Sequence, residues 1–188
     1  PADCVKVAVR ELCDEMPDLL LAGINDGENV GVNVFYSGTV AAAAEGALLG
    51  IPSVAFSLAR GAEMDFHAAA RLCRWVLDGL LAEQLADHTL INVNVPNIGE
   101  PAAGVMVVPQ GTTAITETYS RETDDRGRWL FQLTDYYEHT IGDEETDVTA
   151  LMEGYVTVTP LKSDLTDRDK LNTLARRQWP APLRRREE

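Results

Sequence analysis

The chain has 188 residues and a formal net charge of −14, with 45% hydrophobic and 24% charged residues. These values are typical of a globular protein of one domain, and no apolar run approaches the roughly 20 residues that a membrane-spanning helix needs. The negative charge argues against a general nucleic-acid binder, whose affinity comes largely from cationic contacts to phosphates. Three cysteines without a CxxC pair argue against a zinc site or a disulfide framework and favour free thiols in a cytoplasmic protein.

Helical and strand-like patterns alternate over the first hundred residues. Apolar residues recur at helical spacing in three stretches, which are Ala2–Glu15, Ser37–Gly50 and Glu63–Leu85. Each is followed by a short, continuous apolar run typical of a strand buried on both faces; these runs are Asp18–Ile24, Ile51–Leu58 and Thr89–Val95. The order helix–strand, repeated three times, predicts an α/β fold with a parallel sheet and helices on its faces.

The pattern changes in the second half of the chain. From residue 104 to residue 160 the apolar periods are short and strand-like, with a turn signal at Asp124–Gly127. Gly154–Pro160 alternates like a strand with one face in water, and Leu165–Arg177 has the spacing of a final helix. We therefore divide the chain into an α/β core, residues 1–100, and a region of residues 101–188 with an extended β-hairpin and a C-terminal helix.

The segment Gly23–Thr39 (GINDGENVGVNVFYSGT) follows a predicted strand and precedes a predicted helix. Open parallel sheets bind ligands at the carboxyl ends of their strands, so this loop is the expected place of a site. Its glycines permit sharp turns and close approach of a ligand to the backbone. Their spacing is neither GxGxxG nor that of a P-loop, which argues against a dinucleotide or ATP site.

Two groups of side chains in this loop are candidates for binding. Asn25, at the strand end, offers an amide oxygen suited to a hard cation, whereas an Asn that bonds its own backbone in a turn is the alternative, which we favour for Asn33. Ser37, Gly38 and Thr39 open a helix, where free backbone N–H groups and two hydroxyls suit a phosphate. Simple helix capping uses overlapping donors, and the sequence leaves these two alternatives open.

Several linked motifs in this part of the chain resemble the signature of the SurE family, and they occur in the family's order. They are Gly23–Asn25 (GIN), Gly27–Asn29 (GEN), Tyr36–Thr39 (YSGT), the small-residue helix Ala41–Gly46 and Gly50–Ser57 (GIPSVAFS). Further segments that resemble the family are Pro1–Val5, Ile91–Pro96, Thr146–Val148 and Glu153–Leu161. The resemblance covers most of the chain, and the combination of motifs makes it specific.

The resemblance implies a Rossmann-like core and a metal-dependent phosphomonoesterase that hydrolyses nucleoside 5′- and 3′-monophosphates, with polyphosphate handled by some members. By correspondence, Asn25 is a ligand of Mg²⁺ or Mn²⁺, the turn Ser37–Thr39 contacts the phosphate, and Asn29 lines the same pocket. Tyr36 is a further candidate for the pocket wall, although packing explains it equally well. Family members are usually dimers or larger, and residues 101–188 match the region that they exchange between subunits, so we expect a homodimer or homotetramer.

The chain departs from the family's pattern in one respect. SurE proteins open with a strand that ends in an Asp-Asp pair, and a later serine completes their metal site, but this sequence contains no equivalent of either. We therefore expect the sequence to be incomplete at its start, with a core that lacks the first strand and exposes a hydrophobic edge, and we nominate no catalytic acid or base. The alternative function is a non-catalytic anion-binding or assembly protein that retains the fold without a complete metal site.

Overall fold

The computed structural model describes residues 1–97, 102–112, 118–135 and 145–180. The helices within these ranges are α1 (Ala2–Val7), α2 (Gly38–Leu48), α3 (Phe66–Leu81), α4 (Asp147–Met152) and α5 (Arg168–Ala175). A π-helical turn, Ala8–Leu12, extends α1, and a 3₁₀ helix, Gly31–Tyr36, precedes α2. The strands are β1 (Leu20–Asp26), β2 (Ser53–Leu58), β3 (Leu90–Val95), β4 (Val105–Val107), β5 (Thr118–Thr123), β6 (Trp129–Asp135) and β7 (Val156–Leu161).

Five strands form one sheet in the order β1-β2-β3-β7-β4. The first three strands are parallel, which confirms the predicted α/β fold. Strand β7 runs antiparallel to β3, and β4 pairs with β7 in parallel, so the last two strands run in the opposite direction. The division of the chain at residue 100 stays a prediction, although β4 and β7 beyond it complete the same sheet.

Helices cover both faces of the sheet. On one face, Ala69, Cys73 and Val76 of α3 pack against the valine-rich side of the strands, which includes Val54, Phe56, Leu58, Ile91, Val93, Val95, Val156 and Val158. On the other face, α2 contributes Val40, Ala43 and Ala47, which pack against Ala55 and Leu90. Every residue of β2 and β3 is buried, as the sequence predicted for strands covered on both faces.

Helix α2 lies close to the sheet because its inner face carries small residues. A Cβ atom on Gly46 would lie 2.4 Å from Oγ of Ser53 and 2.8 Å from Cδ1 of Leu20. These distances are shorter than any ordinary van der Waals contact, so only glycine fits at this position.

Two predictions about burial were wrong. Strand β1 is only half-buried, with Leu21 49% exposed, because β1 is the edge strand of the described sheet. Conversely, Gly154–Pro160 has no wet face up to its last residue, since residues 156–159 are all buried. The cause is the position of β7 between β3 and β4 in the sheet. Thr157 and Thr159, which the alternating pattern placed on a face in water, are therefore buried.

Several boundaries also differ from those that the sequence predicted. The first helix ends at Leu12 rather than residue 15, and the segment Gly31–Tyr36, predicted as loop, is a 3₁₀ helix. Helix α4 had not been predicted. The turn at residues 124–127 is confirmed: it joins β5 to β6, and Oδ1 of Asp124 accepts hydrogen bonds from the N–H groups of Arg126 and Arg128, both at 2.9 Å. Within the described ranges no helix has the length and apolarity to cross a bilayer.

A candidate phosphate-binding cleft at the carboxyl edge of the sheet

A cleft of about 180 Å³ opens where β1 and β2 end. It is lined by the last two residues of β1, the loop after it, the 3₁₀ helix, the N-cap of α2 and one residue after β2; these are Asn25, Asp26, Gly27, Glu28, Asn29, Asn33, Tyr36, Ser37 and Arg60. Three of the predicted site residues, Asn25, Asn29 and Ser37, are therefore brought together at the edge where parallel strands present their ligands.

The Asn25 side chain makes the turn bond that was one alternative, and its role as a metal ligand stays a prediction. Its Nδ2 donates to the carbonyl oxygen of Gly27 at 2.8 Å, which is the local turn bond of an asparagine at a strand end. Its Oδ1 accepts a hydrogen bond from the hydroxyl of Thr39 at 3.2 Å. An amide oxygen has two lone pairs, so this oxygen keeps the capacity for one further interaction.

Ser37, which immediately precedes α2, lines the cleft. The Ser37 hydroxyl oxygen accepts a hydrogen bond from the N–H of Val40 at 3.1 Å, so Ser37 is the N-cap of this helix. The N–H groups of Gly38 and Thr39 in the first turn have no intrahelical acceptor. At Gly38 a Cβ would lie 2.9 Å from Cγ of Pro1, so the N-terminal residue packs directly on this turn. Capping by Ser37 is thus observed, and phosphate binding by Ser37–Thr39 remains a prediction.

Asn29 is an anchor beneath the cleft and is only 7% exposed. Its backbone N–H donates to Oδ1 of Asn94 at 2.7 Å, and its Nδ2 donates to the hydroxyl of Ser57, also at 2.7 Å. Its carbonyl oxygen accepts from Nδ2 of Asn92 at 2.7 Å and of Asn94 at 3.3 Å. These bonds tie the loop after β1 to the ends of β2 and β3, while contact of Asn29 with a substrate stays a prediction.

Asp147 accepts a hydrogen bond from the first residue of the 3₁₀ helix, a role that the sequence did not indicate. The residue is fully buried, and its two carboxylate oxygens accept backbone hydrogen bonds from Gly31 at 3.0 Å and Gly111 at 2.7 Å. The side chain of Gln110 donates to the carbonyl oxygen of Gly31 at 2.8 Å. Burial raises the pKa of the Asp147 carboxyl, and the hydrogen bonds from the backbone N–H groups of Gly111 and Gly31 oppose that rise.

Arg60 is the second residue that sequence reasoning missed. It follows β2, and its backbone N–H donates to a carboxylate oxygen of Glu28 at 2.9 Å. Its side chain lies across Gly27, where an added Cβ would meet Nε at 3.1 Å. The resemblance offered no signal at this position, because the matched motif ends at Ser57.

The comparison with known proteins is consistent with the predicted resemblance. A family model described as "Survival protein SurE" matches residues 1–117. The chain belongs to the SurE family. It is 42% identical over 177 residues to "5′-nucleotidase SurE" of Syntrophobacter fumaroxidans, with 94% of this chain and 71% of that relative covered. It is 34% identical over 175 residues to "5′-nucleotidase SurE" of Caldanaerobacter subterraneus subsp. tengcongensis, with 93% and 69% covered.

A solved structure of the SurE family has the same fold. The crystal structure of SurE protein from Aquifex aeolicus aligns with a TM-score of 0.78 at 38% sequence identity, over 93% of this chain and 71% of that chain. This agreement confirms the predicted SurE-like architecture.

The cleft of this SurE-family chain offers few ligands for a divalent cation. Asn25 contributes a neutral amide oxygen, while Asp26 and Glu28 contribute carboxylates, of which Glu28 already accepts from the N–H of Arg60. Among the described residues there is no group of three or more His, Cys, Asp or Glu that could hold a metal ion. Mg²⁺ and Mn²⁺ favour several oxygen ligands, with carboxylates among them. The described residues by themselves therefore do not fit a complete divalent-metal site.

The outer edge of β1 borders an apolar groove. In the described sheet β1 pairs with β2 alone, and the groove between β1 and α1 measures about 640 Å³. Its walls are mostly aliphatic and sulfur-containing side chains, including Val5, Val9, Cys13, Leu19 and Leu21. Apolar side chains thus lie along the edge of the described sheet, and the missing first strand stays a prediction.

Proposed function

We propose that this chain is a 5′-nucleotidase that hydrolyses nucleoside 5′-monophosphates to a nucleoside and phosphate. The observation that carries the proposal is the cleft lined by Asn25, Tyr36 and Ser37, in which Asn25 is also bonded to Thr39 in the first turn of α2. The printed name of the relatives that are 34% to 42% identical supports the same reaction. We extend the proposal to 3′-monophosphates, which differ only in where the phosphate is attached to the ribose.

The phosphate group would bind at the start of α2. The N–H groups of Gly38 and Thr39 belong to the first turn, where a helix leaves its N–H groups without intrahelical acceptors and its dipole is positive, which favours an anion. The Ser37 oxygen already accepts from Val40, so its own O–H proton remains available to donate to a phosphate oxygen. Charge that spreads over the phosphoryl oxygens during transfer would be stabilised by these fixed donors.

A divalent cation, Mg²⁺ or Mn²⁺, is part of the proposal. When bound, it would neutralise charge on the phosphate, and Oδ1 of Asn25 would contribute one of its ligands. The bond from the Thr39 hydroxyl fixes the direction of that oxygen at 3.2 Å. Since the described residues supply too few oxygens for a whole site, the proposal assigns no catalytic acid, base or nucleophile within them.

We also propose that the protein is a homodimer or homotetramer, associated through the β5–β6 hairpin. Trp129 and Phe131 of this hairpin are 57% and 64% exposed. A two-stranded hairpin with large exposed apolar side chains is marginally stable alone, and a second copy would cover them. Light scattering should give a smaller mass for Phe131→Ser than for the wild type and for the control Thr123→Ser, and equal masses would contradict this association.

The decisive experiment measures phosphate release from 5′-AMP, 3′-AMP and polyphosphate with Mn²⁺, with Mg²⁺ and with EDTA. It is done on the 188-residue chain and on the product of its complete reading frame. We expect at least one of the two proteins to release phosphate from 5′-AMP, and we expect EDTA to stop that release. Asn25→Ala should lower the rate of release at least about tenfold, because one bond to a charged group contributes roughly 1.5–3 kcal/mol. The control Asn97→Ala removes an asparagine that bonds the backbone of Glu63 outside the cleft and should keep its activity.

The opposite result has an equally clear meaning. If neither protein releases phosphate from any of these substrates with either cation, the nucleotidase proposal is rejected. The shortage of oxygen ligands in the described cleft would then favour a non-catalytic protein that binds anions or serves in assembly.

A further inference from the structure

The charged residues that line the cleft are acidic apart from one. Of the nine described residues that line it, Asp26 and Glu28 carry negative charges and Arg60 carries the one positive charge. A phosphomonoester carries roughly −1.5 to −2 charges at pH 7. An anion of this kind would be repelled by the two carboxylates unless a cation in the cleft meets it, and Arg60 is the cation that these residues provide.

The backbone around Arg60 is fixed by its neighbours. The N–H of Ala59 donates to the carbonyl oxygen of Val95 at 2.9 Å, and the N–H of Arg60 donates to Glu28 at 2.9 Å. On the opposite side, the N–H of Gly27 donates to the carbonyl oxygen of Leu58 at 2.9 Å. The ends of β1 and β2 are therefore bonded to each other where the Arg60 side chain begins.

Gly27 gives the side chain of Arg60 its path along the cleft. Gly27 has φ +110°, a backbone conformation that favours glycine, and its missing side chain leaves room for Cγ, Cδ and Nε of Arg60, which are 3.6, 3.8 and 3.1 Å from an added Cβ. The side chain from Cγ to Nε thus rests on the bare backbone of Gly27, and Arg60 lines the same cleft as Ser37, the N-cap of α2.

We propose that Arg60 is a substrate-binding residue whose guanidinium binds the phosphate group of the nucleotide. This inference rests on the proposed nucleotidase function and deepens it. A guanidinium offers several N–H donors in a planar fork, which matches two phosphate oxygens at once. Arg60 sets the affinity for the phosphate, while the N–H groups at the start of α2 hold it from the other side.

The substitution Arg60→Gln tests this role because it removes the guanidinium and keeps the backbone N–H. The hydrogen bond to the Glu28 carboxylate comes from the backbone N–H of Arg60. The substitution therefore leaves this hydrogen bond in place. The matched control is Arg74→Gln, which removes the same charge from α3, where Arg74 pairs with Asp78 at 2.7 Å outside the cleft lining. Thermal unfolding of both variants shows whether they are folded.

The measurement is kcat and KM for 5′-AMP and for ribose 5-phosphate, which has the phosphate and lacks the base. We expect Arg60→Gln to lower kcat/KM about tenfold for both substrates, mainly through a higher KM, as the loss of a hydrogen bond between charged groups predicts. Arg74→Gln should change KM less than about twofold, because an exposed ion pair contributes little. Arg60→Lys keeps the charge and loses the fork, so we expect a smaller rise in KM of about threefold.

Three results would overturn the inference. Equal KM values for Arg60→Gln and Arg74→Gln would show that Arg60 does not bind substrate. A rise in KM for 5′-AMP alone would assign Arg60 to the base instead of the phosphate. If Arg60→Gln fails to fold, an unchanged KM in Arg60→Lys would contradict the inference that Arg60 binds the phosphate. An active wild type with any of these results leaves the nucleotidase proposal standing, whereas a wild type that hydrolyses no nucleotide rejects both.

Discussion

The buried carboxylate of Asp147 accepts a hydrogen bond from the N–H of Gly31 at 3.0 Å, across 116 positions of the sequence. Gly31 begins the 3₁₀ helix that leads from the cleft floor at Asn29 to the N-cap of α2 at Ser37. The side chain of Gln110 donates a hydrogen bond to the carbonyl oxygen of the same glycine. Two residues from the later part of the chain therefore bind the first residue of the 3₁₀ helix.

The first prediction concerns the substitution Asp147→Asn. The asparagine retains one acceptor oxygen but presents an NH₂ group to one of two buried backbone N–H donors, which then lacks an acceptor. We expect a loss of about 1–3 kcal/mol in the free energy of unfolding, measured by urea titration. The control Asp78→Asn changes an exposed residue in an i,i+4 ion pair and should cost about 0.5 kcal/mol or less. Equal losses in the two variants would contradict the anchoring role of Asp147.

The second prediction is the pH dependence of that difference. Burial raises the pKa of Asp147 above its ordinary value of 3.8, so the folded state holds this proton more tightly than the unfolded state does. The protonated carboxyl therefore favours the folded state. This contribution to stability is fully present below pH 3.8 and is lost as the pH rises through the higher folded-state pKa. Urea titrations between pH 3 and pH 7 should show the stability of wild type relative to Asp147→Asn decreasing with pH.

Asp124 provides a control of opposite sign for this titration. The backbone N–H of Arg128 and its side chain lower the pKa of the partly buried Asp124 carboxyl. Its contribution is present above pH 3.8 and is lost as the pH falls through the lower folded-state pKa. The stability of wild type relative to Asp124→Asn should accordingly increase with pH. The same direction for both pairs would show that burial does not dominate at Asp147.

The third prediction compares two helical glycines. Gly46→Ala places a Cβ 2.4 Å from Oγ of Ser53, so α2 must move away from the sheet, and we expect a loss of about 1–3 kcal/mol. Gly79→Ala in α3 meets no atom within 4 Å and should stabilise the protein by about 0.5–1 kcal/mol, because alanine is the better helix former. Chemical unfolding of both variants gives the two signs, and a tolerated Gly46→Ala would contradict the close packing of α2.

The fourth prediction concerns the three thiols. Cys4 and Cys13 are exposed, whereas Cys73 lies on α3 and is buried in the core between this helix and the sheet. Desolvation there raises the pKa of its thiol to about 12. Since the thiolate is the reactive form, iodoacetamide at pH 8 should modify Cys4 and Cys13 and spare Cys73 until urea unfolds the chain. Peptide mass spectrometry reads each site, and rapid modification of Cys73 in the folded protein would place it outside the core.

Local sequence determined much of this protein. The alternation of helix and strand over the first hundred residues predicted the α/β fold, and the loop between β1 and α2, where the sequence predicted a site, lines the cleft. Asn25, Ser37 and Thr39 are close in the structure because they are close along the chain, at the end of one element and the start of the next. The linked motifs of this stretch also predicted the SurE family, which the comparisons confirmed.

Tertiary structure alone decided the rest. Strand β7 enters the sheet between β3 and β4, which buries threonines that alternate like surface residues. The partners of Asn29 in β3 lie 63 and 65 positions away, Arg60 reaches Glu28 across 32 positions, and Asp147 reaches Gly31 across 116. A periodic pattern reports how a residue relates to its own helix or strand, and it carries no information on which distant backbone will need a hydrogen-bond partner after the core has closed.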